Sequence, residues 1–117
     1  MMQVGDIFYG IDWFSTDKPI EVYQITHITY YDTYYEVFVE VIIGDIGVFK
    51  FPNDWDPNEL LTSLYSYESI WIYSKNIEAL VYLNEKILTG ESAVEDISLE
   101  AWHVWDNKWV KLYLSDL

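Results

Sequence analysis

The side chains best suited to chemistry in this sequence are carboxylates gathered in one short segment. Asp54, Asp56 and Glu59 lie close together, and carboxylate oxygens at such spacing could hold a hard cation such as Ca²⁺. The same acids suit the start of a helix, where negative charge complements the helix dipole, and we favour this second interpretation. No other spacing singles out a carboxylate pair for glycoside hydrolysis or for a metal-dependent nuclease. We therefore predict no catalytic residue, no metal site and no cofactor, and we do not expect an enzyme.

Two histidines are the remaining candidates for acid–base chemistry. His27 falls within a predicted strand, which is typical of a histidine on the surface or edge of a sheet. His103 is expected to stack or to form a hydrogen bond within a hairpin. The sequence contains no Gly-rich phosphate loop and no metalloprotease, hydrolase or EF-hand motif. It also contains no Cys, which excludes disulfides, thiol catalysis and cysteine zinc sites.

Negative charge is the dominant chemical property of the chain. In 117 residues, 20 Asp and Glu outnumber six Lys, there is no Arg, and the formal net charge is −14. This balance argues against direct nucleic-acid binding, which needs a positive surface. Because 51% of the residues are hydrophobic and 19% are aromatic, we expect a folded domain rather than a disordered acidic tail.

No segment has the pattern of a signal peptide or of a membrane helix. Residues 1–12 contain Asp6 and Asp12 and no basic residue. The longest apolar run, residues 37–43, is interrupted by Glu40 and is far shorter than the roughly 18 residues that a membrane span requires. We therefore expect no membrane contact and a cytoplasmic location. The pattern predicts no particular oligomeric state.

Strands are predicted in the first half of the chain, in runs rich in β-branched and aromatic residues. These runs cover residues 4–9, 20–31, 34–43 and 46–51, and a tight turn at Asp32 and Thr33 separates the second from the third. Within 34–43, Val37, Val39, Val41 and Ile43 alternate with residues that include Glu36 and Glu40. This alternation indicates a half-buried strand with an acidic outer side.

Two short helices are predicted in the second half. Asp56 would cap the first, which would begin at Pro57 and carry a stripe of leucines. A brief strand at 69–73 follows, and Ser74 would cap the second helix, over residues 75–88.

The predicted fold class is α+β, in one domain over residues 1–117. Residues 4–88 would form an antiparallel, strongly twisted or barrel-like sheet with the two short helices. Residues 91–117 would add a C-terminal β-hairpin. Its strands, 101–105 and 108–114, show alternating residue types, and Asp106 and Asn107 would form the turn between them.

Two segments carry a family resemblance. Val4-Gly5-Asp6 opens the first strand, and SIWIYSKNIEAL at residues 69–80 leads from a strand into a Lys-x-x-Glu-Ala-Leu helix. Together they resemble small uncharacterised proteins from phages and mobile elements of low-GC Gram-positive bacteria. The resemblance covers residues 4–88. It implies a small barrel-like sheet and an accessory role for a phage, such as that of an anti-CRISPR or another anti-defence protein, but no particular chemistry.

Tryptophans are concentrated in the predicted C-terminal hairpin, at Trp102, Trp105 and Trp109. They would either pack this hairpin onto the sheet or anchor a protein partner, because Trp and Tyr dominate interface hot spots. A platform for stacking nucleic-acid bases is disfavoured, since such platforms accompany basic grooves.

An acidic band is the predicted binding site. Strand residues four apart are separated by about 13 Å and neighbouring strands by about 4.8 Å, distances comparable with those between duplex phosphates. Such a band could imitate nucleic acid in the basic channel of a host protein, for example a Cas nuclease, a restriction or repair enzyme, or RNA polymerase. The band, with Trp55 as an anchor, comprises Asp32, Glu36, Glu40, Asp45, Asp54, Trp55, Asp56 and Glu59.

The predicted function is that of a non-enzymatic inhibitor. An acidic phage-type protein of this kind would act in the host cytoplasm and block a nucleic-acid-binding defence protein by mimicry, as an anti-CRISPR protein does. One alternative is a module that binds proteins through the Trp-rich hairpin without mimicry, or a structural accessory protein of a phage that uses the same hairpin. A metal-dependent enzyme is less favoured. The charge could also serve solubility alone.

Overall fold

The computed structural model describes residues 2–13, 19–44, 47–66, 69–89, 98–103, 106 and 108–113. These residues contain eight strands and one helix, α1 (Ile77–Thr89). The strands are β1 (Ile7–Asp12), β2 (Glu21–Tyr30), β3 (Tyr34–Ile43), β4 (Val48–Pro52), β5 (Leu61–Ser66), β6 (Ser69–Ser74), β7 (Ser98–His103) and β8 (Lys108–Tyr113).

All eight strands belong to one sheet that curls into a half-barrel. Their order across the sheet is β4-β3-β2-β1-β6-β5-β7-β8, so β4 and β8 are its edges. Neighbouring strands are antiparallel except β5 and β7, which run parallel with Leu61 opposite Glu100. The connection between these two parallel strands contains β6 and α1.

The β2–β3 hairpin forms where the sequence predicts it. Asp32 and Thr33 make the turn, which is closed by a hydrogen bond of 2.9 Å from the Tyr31 N–H to the Tyr34 carbonyl. Along β3, Tyr35 and Val37 are buried, and Val39 and Val41 are half-buried against the core. The prediction of a half-buried strand is therefore confirmed.

Aromatic side chains fill the inner face of the half-barrel. The ring of Phe8 lies 5.1–5.5 Å from the rings of Tyr23, Phe49 and Phe51, and its contacts with the latter two are edge-on. Trp102 of β7 belongs to the same buried cluster. Residues from both ends of the strand order thus share one core, which requires the sheet to curl.

Helix α1 covers the outer face of the central strands. Its Leu80 and Leu83 are buried in a second cluster with Ile11 of β1 and Ile72 of β6. Because side chains alternate between the two faces of a strand, β1 and β6 contribute to both clusters.

The start of α1 differs by two residues from the prediction. Its N-cap is Asn76, whose Oδ1 accepts a hydrogen bond of 3.1 Å from the Glu78 N–H. The predicted cap, Ser74, lies two residues before Asn76, and its Oγ accepts a hydrogen bond of 2.9 Å from the Asn76 N–H. The side chains of Ser74 and Asn76 therefore stabilise successive steps of the turn that leads from β6 into α1.

An ion pair joins the Val4-Gly5-Asp6 turn to the segment between β6 and α1. Asp6 accepts hydrogen bonds through Oδ2 from the Gln3 N–H at 2.9 Å and from Lys75 Nζ at 3.0 Å. Gly5, which lies between Gln3 and Asp6 in sequence, has a φ of 93°, a left-handed conformation that glycine adopts without a steric penalty. The Val4-Gly5-Asp6 turn is thereby held against Lys75, which lies between the end of β6 and the N-cap of α1.

The α+β prediction is wrong, because the described structure is mostly β and contains one helix. The residues that follow Pro57 form a short turn rather than the predicted helix, and the chain then enters strand β5. Leu60, Leu61 and Leu64 fit a helical stripe, but β6 and β7 pair with β5 on both sides. Hydrogen bonding within the sheet therefore outweighs the local helical pattern.

The predicted C-terminal hairpin is present as β7 and β8, with Trp102 opposite Trp109. It is not a separate extension, because β7 also pairs with β5 and continues the sheet. In the described part of the chain, no helix has both the length and the apolar character that a membrane crossing needs.

Candidate functional site: an acidic cleft at the sheet seam

The two edges of the curled sheet meet at a hydrogen bond. Trp109 on β8 donates its indole N–H to Asp54 Oδ1 at 3.1 Å, and Asp54 lies two residues beyond the end of β4. Since β4 and β8 are at opposite ends of the strand order, this bond bridges the open side of the half-barrel. We call this region the seam.

A cleft of about 360 Å³ opens at the seam. Its walls combine four carboxylates with two indole rings and one leucine. The residues that line it are Asp54, Trp55, Asp56, Glu59, Leu60, Glu100 and Trp109.

Hydrogen bonds from Asn53 hold the first part of the β4–β5 loop in place. Asn53 donates its side-chain amide to the carbonyls of Tyr31 and Asp32, at 3.2 and 3.1 Å. Its N–H also donates to the Thr33 carbonyl at 3.3 Å. The turn that holds Asp32 and the loop that holds Asp54 are therefore neighbours at one end of the sheet.

A compact turn holds the rest of the loop. Asp56 accepts the Asn58 N–H through Oδ1 at 3.0 Å, and its carbonyl accepts the Glu59 N–H at 3.0 Å. The Asn58 carbonyl in turn accepts the Ser74 hydroxyl at 3.2 Å. The acids of this loop are thus displayed from an anchored backbone, because the loop is bonded to the β2–β3 turn and to the end of β6.

The carboxylates of the cleft are exposed and lack basic partners. Asp54, Asp56, Glu59 and Glu100 are all exposed, and within the described residues none of them forms an ion pair with a lysine. Lys111 lies opposite Glu100 in register, but its Nζ lies over the ring of Tyr113, 5.6 Å from the centroid. The cleft therefore carries uncompensated negative charge.

These carboxylates do not converge on one point. Among the residues that the structure describes, no three His, Asp or Glu side chains are placed to hold a metal ion. The acids are instead distributed around the cleft walls. Such an arrangement suits a ligand with several separated hydrogen-bond donors better than a single spherical cation.

The two indole rings that line the cleft are packed against aromatic rings of the core. Trp55 is 6% exposed, and its ring lies 4.7 Å from that of Phe51 in the core. Its Nε1 is buried and has no hydrogen-bond partner among the residues that the structure describes. Trp109 is half-buried and packs edge-on against the buried Trp102, with 5.8 Å between ring centroids.

Within the described residues, the tryptophans of the C-terminal hairpin mainly pack the hairpin against the core. Trp102 is 3% exposed and belongs to the inner core, and Trp109 packs on it. This favours packing onto the sheet over the alternative of an exposed anchor for these two residues. Trp105 lies outside the described residues.

The structure gathers only part of the predicted acidic band. Asp54, Trp55, Asp56 and Glu59 line the cleft, and the turn that holds Asp32 adjoins their loop. Asp45 lies outside the described residues. Glu40 is exposed opposite Gln24 on β2, four residues farther along β3 than Glu36.

Glu36 is half-buried, whereas the sequence predicts it on the exposed side of the strand. It lies directly opposite Lys50 of β4, although Lys50 Nζ lies over the ring of Tyr34, 5.3 Å from its centroid. A hydrogen bond between Glu36 and the Tyr31 hydroxyl raises the pKa of Tyr31 above its ordinary value. The positively charged Lys50 and the rings of Tyr31 and Tyr34 therefore lie next to Glu36, and they interrupt the predicted acidic band at this position.

His27 lies on the sheet surface and His103 forms a hydrogen bond within the hairpin, as the sequence predicts. His27 is exposed on β2, with Nε2 3.1 Å from the Thr29 hydroxyl and its ring 5.6 Å from that of Phe38. His103 Nδ1 accepts the Asp106 N–H at 3.2 Å, at the end of the β7–β8 hairpin. Neither histidine lines the cleft.

Three residues of the cleft, Leu60, Glu100 and Trp109, are absent from the predicted site. Glu100 and Trp109 come from β7 and β8, about forty to fifty-five positions from the loop acids in sequence. The hairpin itself was predictable, but its parallel pairing with β5 has no local signal. Only that pairing places Glu100 beside the loop.

Comparison of the chain with protein families, with curated proteins and with solved structures gives no match. The resemblance to phage and mobile-element proteins stays a prediction.

Proposed function

We propose that this protein is a non-enzymatic binding protein that occupies a basic, nucleic-acid-binding surface of a protein partner and thereby blocks it. The observation that carries the proposal is the seam cleft, which four exposed carboxylates and two indole rings line together, and in the described part of the chain none of these carboxylates forms an ion pair with a lysine. Negative charge steers a protein towards a cationic partner, and aromatic rings supply contact area once it has docked.

The net charge of the chain supports the same proposal. At −14, the long-range field attracts basic surfaces and repels nucleic acid. The cleft concentrates part of that charge on an anchored loop, so little conformational entropy is lost when a partner binds. In the context that the family resemblance implies, the partner is a host defence protein such as a Cas nuclease, and the protein acts in the host cytoplasm as an anti-CRISPR protein would.

A displacement assay tests the proposal. Labelled duplex DNA would be bound to each of a panel of host proteins with basic channels, namely Cas nucleases, restriction enzymes and RNA polymerase. The unmodified protein would then be titrated in at about 0.1 M and at about 0.5 M salt. We expect displacement from at least one panel member at low salt and much weaker displacement at high salt, because exposed charges are screened.

Two outcomes would contradict the proposal. If no panel member releases DNA at low salt, the protein does not compete for such channels. If displacement is equally strong at both salt concentrations, the contact is not governed by exposed charge, and a non-mimic binding module takes precedence. Bovine serum albumin, another acidic protein, controls for nonspecific competition by negative charge.

A further inference from the structure

We infer that the tip of the β2–β3 hairpin is a docking surface for a basic face of a protein partner. The hairpin tip comprises four consecutive exposed residues, Tyr30, Tyr31, Asp32 and Thr33. The contact assigned to it lies between the faces of the two tyrosine rings and cationic side chains of the partner. Because it names the surface that supplies the aromatic part of the contact, this assignment rests on the proposed function and deepens it.

Two large aromatic side chains at the hairpin tip are left outside the core. Tyr30 is 55% exposed and Tyr31 is 44% exposed, whereas Tyr35 belongs to the buried cluster and Tyr34 packs against it. Turns favour small and polar residues, so the geometry of the turn does not account for exposed rings at this place. Tyrosine is enriched among the residues that dominate protein interfaces, and adjacent exposed rings are typical of such a surface.

Each exposed ring is supported by a less exposed ring on β3. Tyr30 lies opposite Tyr35 in register, with 6.1 Å between the ring centroids. Tyr31 stacks on Tyr34, with 4.7 Å between the centroids and 17° between the ring planes. Because successive residues of a strand point to opposite faces, the tip carries one exposed ring on each side of the hairpin. A tip of this shape fits a channel with two walls better than a flat surface.

The charges around the hairpin tip select a basic partner. Asp32 is exposed in the turn itself, and Asp54 is exposed in the neighbouring loop. Asn53 holds the two segments together, because its side-chain amide donates to the carbonyls of Tyr31 and Asp32. A second copy of the chain would bring like charges together, since each copy has a net charge of −14, and is therefore disfavoured as the occupant.

The chain itself contains an example of the contact that we assign to the tip. Lys50 Nζ lies over the ring of Tyr34, 5.3 Å from its centroid. The exposed faces of Tyr30 and Tyr31 offer the same kind of surface to a lysine or an arginine of the partner, and the attraction strengthens as water is excluded. Because supporting rings and hydrogen bonds from Asn53 already hold the tip, binding costs little conformational entropy.

Alanine variants locate the contact in a binding assay that contains no DNA. Each protein of the panel would be tested against the immobilised protein by biolayer interferometry at about 0.1 M salt. We expect at least one to bind, and Tyr30→Ala with Tyr31→Ala to weaken its affinity by about tenfold or more, because two anchoring rings are lost. The matched control is Tyr82→Ala with Tyr113→Ala, which removes rings that are 57% and 43% exposed on α1 and β8. The control should change affinity by less than about twofold.

Phenylalanine variants separate the ring faces from the hydroxyl groups. Tyr30→Phe with Tyr31→Phe keeps both faces and should bind within about threefold of the unmodified protein. Circular dichroism and urea denaturation of all variants establish that they are folded. Light scattering tests a second copy as the occupant, and we expect no dimer that depends on Tyr30 and Tyr31.

Four results would overturn the inference. They are no binding to any panel protein, equal effects of the two alanine variants, a loss with phenylalanine as large as that with alanine, and a dimer that the tip variant abolishes. DNA displacement that is equally strong with the unmodified protein and with the tip variant would keep the proposed function and reject the tip. Binding that depends on the tip, but does not displace DNA, would keep the tip and reject the proposed function.

Discussion

Trp109 donates its indole N–H to Asp54 Oδ1 at 3.1 Å across 55 positions of sequence, and this bond bridges the two edges of the half-barrel. One partner lies on the last strand and the other just beyond the opposite edge strand. The bond fixes the loop acids relative to β8, so the geometry of the cleft depends on closure of the sheet. A polar contact between sheet edges thus helps to set the shape of the cleft.

Replacing Trp109→Phe tests this closure. The phenyl ring keeps an edge contact with Trp102 but cannot donate to Asp54, so we expect a loss of about 1 kcal/mol in the free energy of unfolding. Urea denaturation followed by far-UV circular dichroism would measure it. Asp54→Asn retains an acceptor for the indole and should cost less. Equal, negligible effects in both variants would show that the bond does not hold the seam.

Replacing Gly10→Ala tests the packing of the inner face. A Cβ at position 10 would lie 2.7 Å from Cδ1 of the fully buried Tyr73 ring, which the surrounding rings keep from moving. We expect destabilisation of about 1–3 kcal/mol in urea denaturation, typical of overpacking. Gly47→Ala is the control, because a Cβ there meets nothing within 4 Å. Comparable stability of the two variants would contradict the packing described.

The Asp6–Lys75 pair predicts a specific dependence of stability on pH. Burial alone would raise the pKa of Asp6, but hydrogen bonds from Lys75 and from the Gln3 N–H outweigh it, and the pKa falls below 3.8. A carboxyl whose pKa is lower in the folded state stabilises the fold above its unfolded pKa, and this contribution is lost as the pH falls through its folded pKa. The stabilisation should therefore be complete at neutral pH and be lost progressively as the pH falls below the ordinary value of 3.8.

Urea denaturation of Asp6→Asn at about pH 7 and about pH 3 would measure this contribution. We expect a cost of about 1 kcal/mol at the higher pH, because both side chains are partly exposed, and a smaller cost at the lower pH. The same substitution in a Lys75→Met background should cost less at neutral pH. A cost that grows as the pH falls would contradict the sign of the pKa shift.

Local patterns in the sequence were sufficient for most strands and for one helix. Alternation in residues 34–43 reflects the two faces of a sheet, and the Asp32-Thr33 turn fixes the register of its hairpin. These features depend on neighbours in sequence. They were therefore predictable without knowledge of the rest of the molecule.

Features that depend on distant strands were not predictable in this way. The leucines after Pro57 suit a helix or a strand, and only pairing with β6 and β7 decides between them. Glu100 reaches the cleft through the same parallel pairing with Leu61. The structure brings Asp54, Trp55, Asp56 and Glu59 together because they share one loop, whereas Glu36 and Glu40 lie on β3 away from the cleft.

The most direct test of the central claim, that the cleft carries the binding, is displacement of duplex DNA from a responsive panel protein by two matched variants. We expect Glu59→Gln with Glu100→Gln to raise the concentration for half-displacement by about tenfold, because lost charge pairs in a desolvated contact are costly. Glu40→Gln with Glu78→Gln should raise it by less than about twofold, since these exposed acids lie away from the cleft. Equal losses in both variants, or no loss in the first, would contradict the claim.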